Sequence, residues 1–253
     1  MWERAKRVLP KGPGDLFLQL AIWSGFGVAY QIARGIADRD IPRAFSNGLH
    51  VVHLEQTLHT LIEPNIQRVM TETGGLVLDA ANWTYWLSQF VVLAIASIWV
   101  YLRHNEVYAH ARNWVLTTNL LALVGYVVIP TAPPRMFPEF GFTDTLAASA
   151  SLHHGSGIIE LASNQFAAMP SIHAADALIV GFIMASVTRS KLAKILWTLW
   201  PSWVWFSVMA TGNHYWFDIA AGVAVAMAAG TLVTLMESRR GTLPAALASQ
   251  RRW

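Results

Sequence analysis

Six stretches of the chain are apolar almost without interruption: residues 16–37, 78–102, 113–130, 173–187, 192–210 and 219–236. A bilayer core of about 30 Å takes about 20 such residues to cross as a helix. The fourth stretch, of about fifteen residues, is short, and suits a span that begins at a site within membrane depth. The pattern predicts an all-α fold, a polytopic membrane helix bundle with about six transmembrane helices. Because the first run exceeds twenty residues and five more follow it, it reads as a retained helix despite the Arg4-Ala5-Lys6-Arg7 that precedes it like the start of a signal peptide.

The two long intervals between runs differ from them and from each other. Residues 38–77 alternate apolar Leu49, Val52, Leu58, Leu61 and Ile62 with His50, His53, Glu55, His59 and Glu63. That predicts one or two amphipathic helices forming an extracytoplasmic interfacial segment. Glu55 and His59 are one helical turn apart. A metal site there competes with ordinary solvated or hydrogen-bonded interfacial residues; the second reading carries more weight, and none of these side chains is assigned a catalytic role. Residues 131–171 open with Thr131-Ala132-Pro133-Pro134-Arg135 and continue through Gly141, Gly155 and Gly157. A loop of that length predicts a cover or an entrance. With no repeat or composition break, residues 1–253 read as a single integral-membrane domain.

Composition and charge sharpen the picture. The chain has 253 residues, 54% hydrophobic and 13% charged, with a mean hydropathy of +0.38, outside the balance of soluble domains. If both termini are cytoplasmic, 13 of the 18 basic and 4 of the 15 acidic residues fall on that side, net +9 against −6 elsewhere. This is the positive-inside pattern, so the pI of about 9.4 reflects membrane orientation and not nucleic-acid binding. The absence of cysteine excludes disulfides, thiolate nucleophiles and Cys-ligated metals. Several of the twelve tryptophans, Trp83, Trp86, Trp114, Trp197, Trp200 and Trp216, stand near span ends and read as interface anchors.

The same topology brings Arg135, His173, His214 and Asp218 to the outer face, each at or just beyond a span end. His214 and Asp218 are four apart; on one helix they share a face, where the carboxylate accepts a hydrogen bond from one imidazole nitrogen and leaves the other as a nucleophile. Pro170-Ser171 before His173 and Thr211-Gly212-Asn213 before His214 read as helix starts, whose free N–H groups and positive dipole end favour phosphate. Ser171 and Asn213 are therefore candidate substrate-binding residues, with Arg135 as a charge-assisted clamp. Asp176, one turn after His173, orients that histidine, contacts a head group, or pairs with a neighbour. A lone buried histidine is most often a satisfied polar residue, but two with an acid at membrane depth are costly enough to point to chemistry.

At these residues the chain resembles the type 2 phosphatidic acid phosphatase superfamily. Pro170-Ser171-Ile172-His173 is similar to its second motif, and His214 with Asp218 to the end of its third. The resemblance covers residues 113–236, which it makes the catalytic core. It implies His214 as nucleophile, Asp218 as its orienting acid and His173 as general acid. Ile172 stands where the phosphatases carry Gly, Val208 where they carry Arg, and the first motif's Lys is absent. Thr131-Ala132-Pro133-Pro134-Arg135 and the bulky Ile172 look instead like the inositol phosphorylceramide synthase-like, inositolphosphotransferase branch. The resemblance implies metal-independent phosphoryl transfer through a phosphohistidine, without a cofactor, on a phospholipid or lipid phosphate. Water as the acceptor makes the enzyme a lipid phosphatase, of phosphatidate or polyprenyl phosphate type; an alcohol makes it a phosphotransferase, the reading favoured here. Two rivals are a proton- or ion-coupled membrane transporter, disfavoured because the ionisable residues gather at one face, and a lipid-binding relative with a degenerate site.

Overall fold

The computed structural model describes residues 9–37, 40–73, 75–148 and 166–245. The middle of the long loop, with Gly155 and Gly157, and the charged terminal segments lie outside the described residues. Eight helices carry the architecture: α1 (Gly12–Ala37), α2 (Ile41–Thr57), α3 (Glu63–Glu72), α4 (Leu76–Arg103), α5 (Asn105–Val128), α6 (Ile172–Val187), α7 (Lys191–Ala210) and α8 (Trp216–Arg239). Each apolar run is a helix, and the segment after the first is two short ones. The third run begins earlier than expected, at Asn105, because its polar first turns find partners inside the bundle. His110 Nδ1 lies 2.7 Å from Glu237 Oε2, and Arg112 donates to Gln19.

Helix α6 is the hub. Beyond His173 and Asp176 it is almost wholly apolar, and it packs on α4, α5, α7 and α8, with Ile172 to Ala177, Ile179, Val180, Ile183 and Met184 buried. A helix surrounded by others needs no polar face. Close approach to its neighbours depends on small residues. Where α6 meets α7, Pro201 has no N–H for the Trp197 carbonyl, and a Cβ on Gly181 would lie 2.7 Å from that oxygen and 2.9 Å from the Pro201 ring. Where α6 meets α8, a Cβ on Gly222 would lie 2.2 Å from the Ser171 carbonyl oxygen, and Ser171 N donates to the Asp218 carbonyl at 3.0 Å. Gly222→Ala is therefore expected to lower stability by about 1–3 kcal/mol through forced backbone separation, measured as a drop in thermal midpoint; an unchanged midpoint would show that the two starts are not locked there.

Among the described residues two helices are long and apolar enough to cross a bilayer: Leu76–Arg103, with mean hydropathy 1.7, and Trp216–Arg239, with 2.1. Helix α6, with 16 residues, is apolar but shorter. The outward faces of α1, α4, α5, α7 and α8 expose large apolar side chains, among them Phe17, Ile95, Val124, Leu192 and Met227. Exposed apolar surface of this kind marks contact with a membrane or with a partner.

The ends of the bundle have different chemistry. At one, Asp15 accepts from Tyr101, Trp23 donates to the Tyr108 hydroxyl, and Glu237 gathers His110 and Asn113. This network corrects the expectation that ionisable residues gather at one face only. Its groups are satisfied by one another. At the other end, about 30 Å along α8, α2 and α3 cover the loops 131–148 and 166–171 and the turn between α7 and α8. Between the two lies an apolar layer including Trp114, Ile179, Ile183, Ala226 and Ala229.

Candidate active site

The turn joining α7 to α8 explains how His214 is held. Thr211 caps α7, and Gly212 follows with φ +69°, the left-handed conformation that ends helices. Thr211-Gly212-Asn213 is thus a helix stop, not the helix start expected from sequence. Asn213 N and His214 N both donate to the Val208 carbonyl, at 3.1 and 3.2 Å. Gly212 is packed tightly: a Cβ there would meet the Thr143 carbonyl at 2.6 Å and Gln67 Nε2 at 2.7 Å.

His214 lies just ahead of α8, so it and Asp218 do not share a helical face. Its Nδ1 lies 2.9 Å from the Ala168 carbonyl oxygen and 3.4 Å from Asp218 Oδ2. A carbonyl can only accept, so Nδ1 carries the proton and Nε2 keeps its lone pair. The carbonyl is itself fixed, because Thr131 and Ala168 form an isolated parallel bridge, with Ala168 N donating to Thr131 O at 3.1 Å. Asp218 Oδ2 accepts from Tyr215 N at 3.0 Å, the reach of an acid at the third helical position back to the cap. Burial pushes the His214 pKa down to about 3; the Ala168 carbonyl opposes that shift and the Arg135 charge adds to it. The ring is neutral at physiological pH.

His173 opens α6 under the Ser171 cap, whose hydroxyl accepts from Ala174 N at 3.3 Å. Its ring stacks on Tyr85 at 4.4 Å between centroids and lies 5.5 Å from the His214 ring. His173 Nδ1 is buried without a hydrogen-bond partner. Arg135 donates through Nη1 to Asn213 Oδ1, and its Nε lies 3.7 Å from Asp144. Asn213 Nδ2 in turn donates to Thr211, at 2.9 Å to the hydroxyl and 3.2 Å to the carbonyl. Asp176 accepts from Asn119 Nδ2 at 2.9 Å, with no bond to His173.

Arg135, His173, Asp176, Asn213 and His214 line one cavity of about 310 Å³. Its remaining walls are largely aromatic, with Trp23, Phe26 and Tyr30 from α1 and Trp86 and Phe90 from α4. Asp218 and Ser171 are fully buried behind it. The backbone amides expected to face a ligand are used internally. Those of Tyr215, Trp216 and Phe217 go to the carboxylates of Asp218, Glu63 and Glu55, at 3.0, 2.6 and 3.2 Å. Val208, at the position where the phosphatases carry Arg, is fully buried among Val204, Leu146 and Ala174 and supplies no cation.

Three features at the site escaped the sequence reading. Ala168 contributes a backbone carbonyl, which has no sequence signal. Asn119 had one, an amide inside an apolar span. Glu55 and Glu63, whose pattern predicts interfacial side chains, are fully buried and bonded to the first turn of α8. Among the described residues no cluster of three or more His, Cys, Asp or Glu is arranged around a metal ion.

Residues 49–232 match the PAP2 superfamily, and the chain belongs to it. A relative is the phosphoinositol dihydroceramide synthase of Bacteroides thetaiotaomicron, 22% identical over 220 residues, which span 80% of this chain and 71% of that one. Its name falls within the branch that the Ala-Pro-Pro segment and Ile172 resemble. No solved structure matches the chain.

Proposed function

We propose that the protein is an integral-membrane phosphotransferase that moves a phosphate-bearing head group from a phospholipid to an alcohol through a phosphohistidine. The observation that carries this is the contact of His214 Nδ1 with the Ala168 carbonyl: that oxygen only accepts, so Nδ1 holds the proton and Nε2 keeps its lone pair on a wall shared with His173 and Arg135. His214 Nε2 attacks phosphorus, the bond from phosphorus to the leaving oxygen breaks, and His173 gives that oxygen its proton. An acceptor hydroxyl then attacks, His173 takes its proton, and the P–N bond breaks to restore both rings. Arg135, held by Asn213, faces the phosphoryl oxygens with its remaining donors. Asp218 fixes Tyr215 and lies beside the imidazolium side of His214.

The aromatic wall suits the apolar part of a lipid, and the Asp176–Asn119 pair suits hydroxyl groups. A carboxylate and an amide together accept from and donate to a polyol. Asp176 sits one helical turn from His173 on α6, so its side chain falls on the same face. The relative's phosphoinositol product has such hydroxyls, which favours transfer over hydrolysis. Incubating the purified protein with phospholipids and polyprenyl phosphates, with and without alcohols, and weighing the products tests the proposal. A new phosphodiester is the expected result, and free phosphate alone would make the enzyme a phosphatase. In the same assay Asp176→Asn is expected to shift the ratio of transfer to hydrolysis toward water by about tenfold, the scale of one lost hydroxyl contact. An unaltered ratio would remove Asp176 from acceptor recognition.

The apolar outer faces and the loop charges support a six-span arrangement with both termini cytoplasmic and the site at the outer end. The chain's lack of cysteine makes this testable by single replacements. In intact cells an impermeant maleimide is expected to label Glu139→Cys, in an exposed turn at the site end, and not Arg240→Cys at the far end. The reverse pattern would invert the topology.

A further inference from the structure

Glu55 and Glu63 take no part in the chemistry just described, yet they are fully buried directly behind it. Glu63 Oε1 accepts from Trp216 N at 2.6 Å and Glu55 Oε1 from Phe217 N at 3.2 Å, so one oxygen of each caps the first turn of α8. The other oxygen of each, Oε2, is buried and meets no N–H or hydroxyl. Neither carboxyl forms an ion pair among the described residues. Because Trp216 N and Phe217 N are successive amides of one turn, the two carboxyls that cap them are held side by side. Two buried carboxylates so close cannot both stay ionised at low cost, and a proton between them removes the repulsion.

We infer that Glu55 and Glu63 share a single proton between their Oε2 atoms and, through their Oε1 atoms, act as positioning residues for the first turn of α8 and so for His214 and Asp218. This rests on the catalytic reading of His214. The arrangement resolves an electrostatic conflict. Helix N-terminal amides favour negative charge, but three ionised carboxylates packed behind one turn would repel each other. A shared proton leaves the pair one net charge while every amide keeps its acceptor.

The ionisable groups that bear on the pair are Asp218 and Tyr215, both from the start of α8, and Arg135, which faces Tyr215 from the loop after α5. Burial is the main cause that raises Glu55 to about 9, with Glu63 next, the Phe217 amide opposing, and Asp218 adding. Since the unfolded carboxyl titrates near 4.5, the native chain holds a proton between pH 4.5 and about 9 that the unfolded chain has released. Stability from this group is complete below that window and declines as pH rises through it.

The test uses the full chain in lipid nanodiscs. The infrared difference between wild type and Glu55→Gln is expected to contain the C=O band of a protonated carboxyl at neutral pH, lost as pH passes about 9. The thermal midpoint of wild type is expected to fall across that window more steeply than that of Glu55→Gln. Phosphohistidine labelling is expected to drop about tenfold in Glu55→Ala, as for a displaced catalytic group, and to be largely restored in Glu55→Gln, whose amide still donates to Glu63.

Absence of the band, or equal defects in the Gln and Ala variants with unchanged pH dependence, would overturn the inference. So would a stoichiometric divalent cation in the purified protein that is lost in Glu63→Gln, because a cation would then stand where the proton is assigned. If wild type labels with no lipid but the band and the pH slope are present, the catalytic reading of His214 fails and the shared proton stands.

Discussion

Replacing His214 with alanine is expected to abolish phosphohistidine formation and lower turnover by about 10⁴-fold or more, the scale seen when a covalent nucleophile is removed. Nothing nearby takes its place. The chain has no cysteine, Ser171 is fully buried as the cap of α6, and the Thr211 hydroxyl is engaged by Asn213. The fold is expected to persist, because the His214 ring makes one hydrogen bond, to Ala168, while its backbone N–H remains on Val208. Acid-stable and acid-labile phosphate on the protein after incubation with labelled lipid, read beside the thermal midpoint, separates lost chemistry from lost structure. Turnover surviving in a folded His214→Ala protein would remove the covalent mechanism.

Replacing His173 with asparagine is expected to lower turnover by about 10²- to 10⁴-fold, the range that general acid–base catalysis contributes. The defect has a signature that the His214 defect lacks. A phosphodiester with an aryl leaving group needs no proton to depart, so with it the first step recovers. The second step still lacks its base, and phosphohistidine therefore accumulates. Rapid-quench labelling with alkyl and aryl substrates checks both halves. If the two substrates are slowed equally, His173 is not the acid, and its stacking on Tyr85 and nearness to His214 would be packing alone.

The sequence disclosed what depends on hydropathy and on motif, and missed what depends on tertiary closure. The six apolar runs mark six helices because burial in lipid or in a bundle requires the same composition. His173, His214 and Arg135 were brought together by charge counting, and in the structure they line one cavity. Periodicity misled at His214 and Asp218, where spacing of four suggested a common helical face. Gly212 ends α7 first, and α8 begins only at Trp216. Free helix amides as phosphate ligands failed for a related reason: Glu55 and Glu63 arrive from a segment more than 150 residues earlier in the chain and fill those positions. Local patterning cannot show such a closure, since an acid on an amphipathic helix looks the same whether solvent or a distant helix start receives it.

The π turn at Ser88–Val92 sets off Tyr85 and Trp86 from the regular helix Leu93–Arg103. A π turn accommodates one residue more than the helix on either side needs, so the width of the cavity beside Tyr85 is written into α4 as an insertion. Deleting a single residue there would restore an unbroken helix with its two halves still in phase, and the local widening beside Tyr85 would be lost. The wall next to the stacking partner of His173 would then be narrower, while the apolar run kept its membrane length. Two chains with the same hydropathy profile and the same reacting groups would in that way hold differently shaped pockets. Substrate choice in such a scaffold can diverge by changing the length of one helix by one residue, leaving the reacting groups untouched.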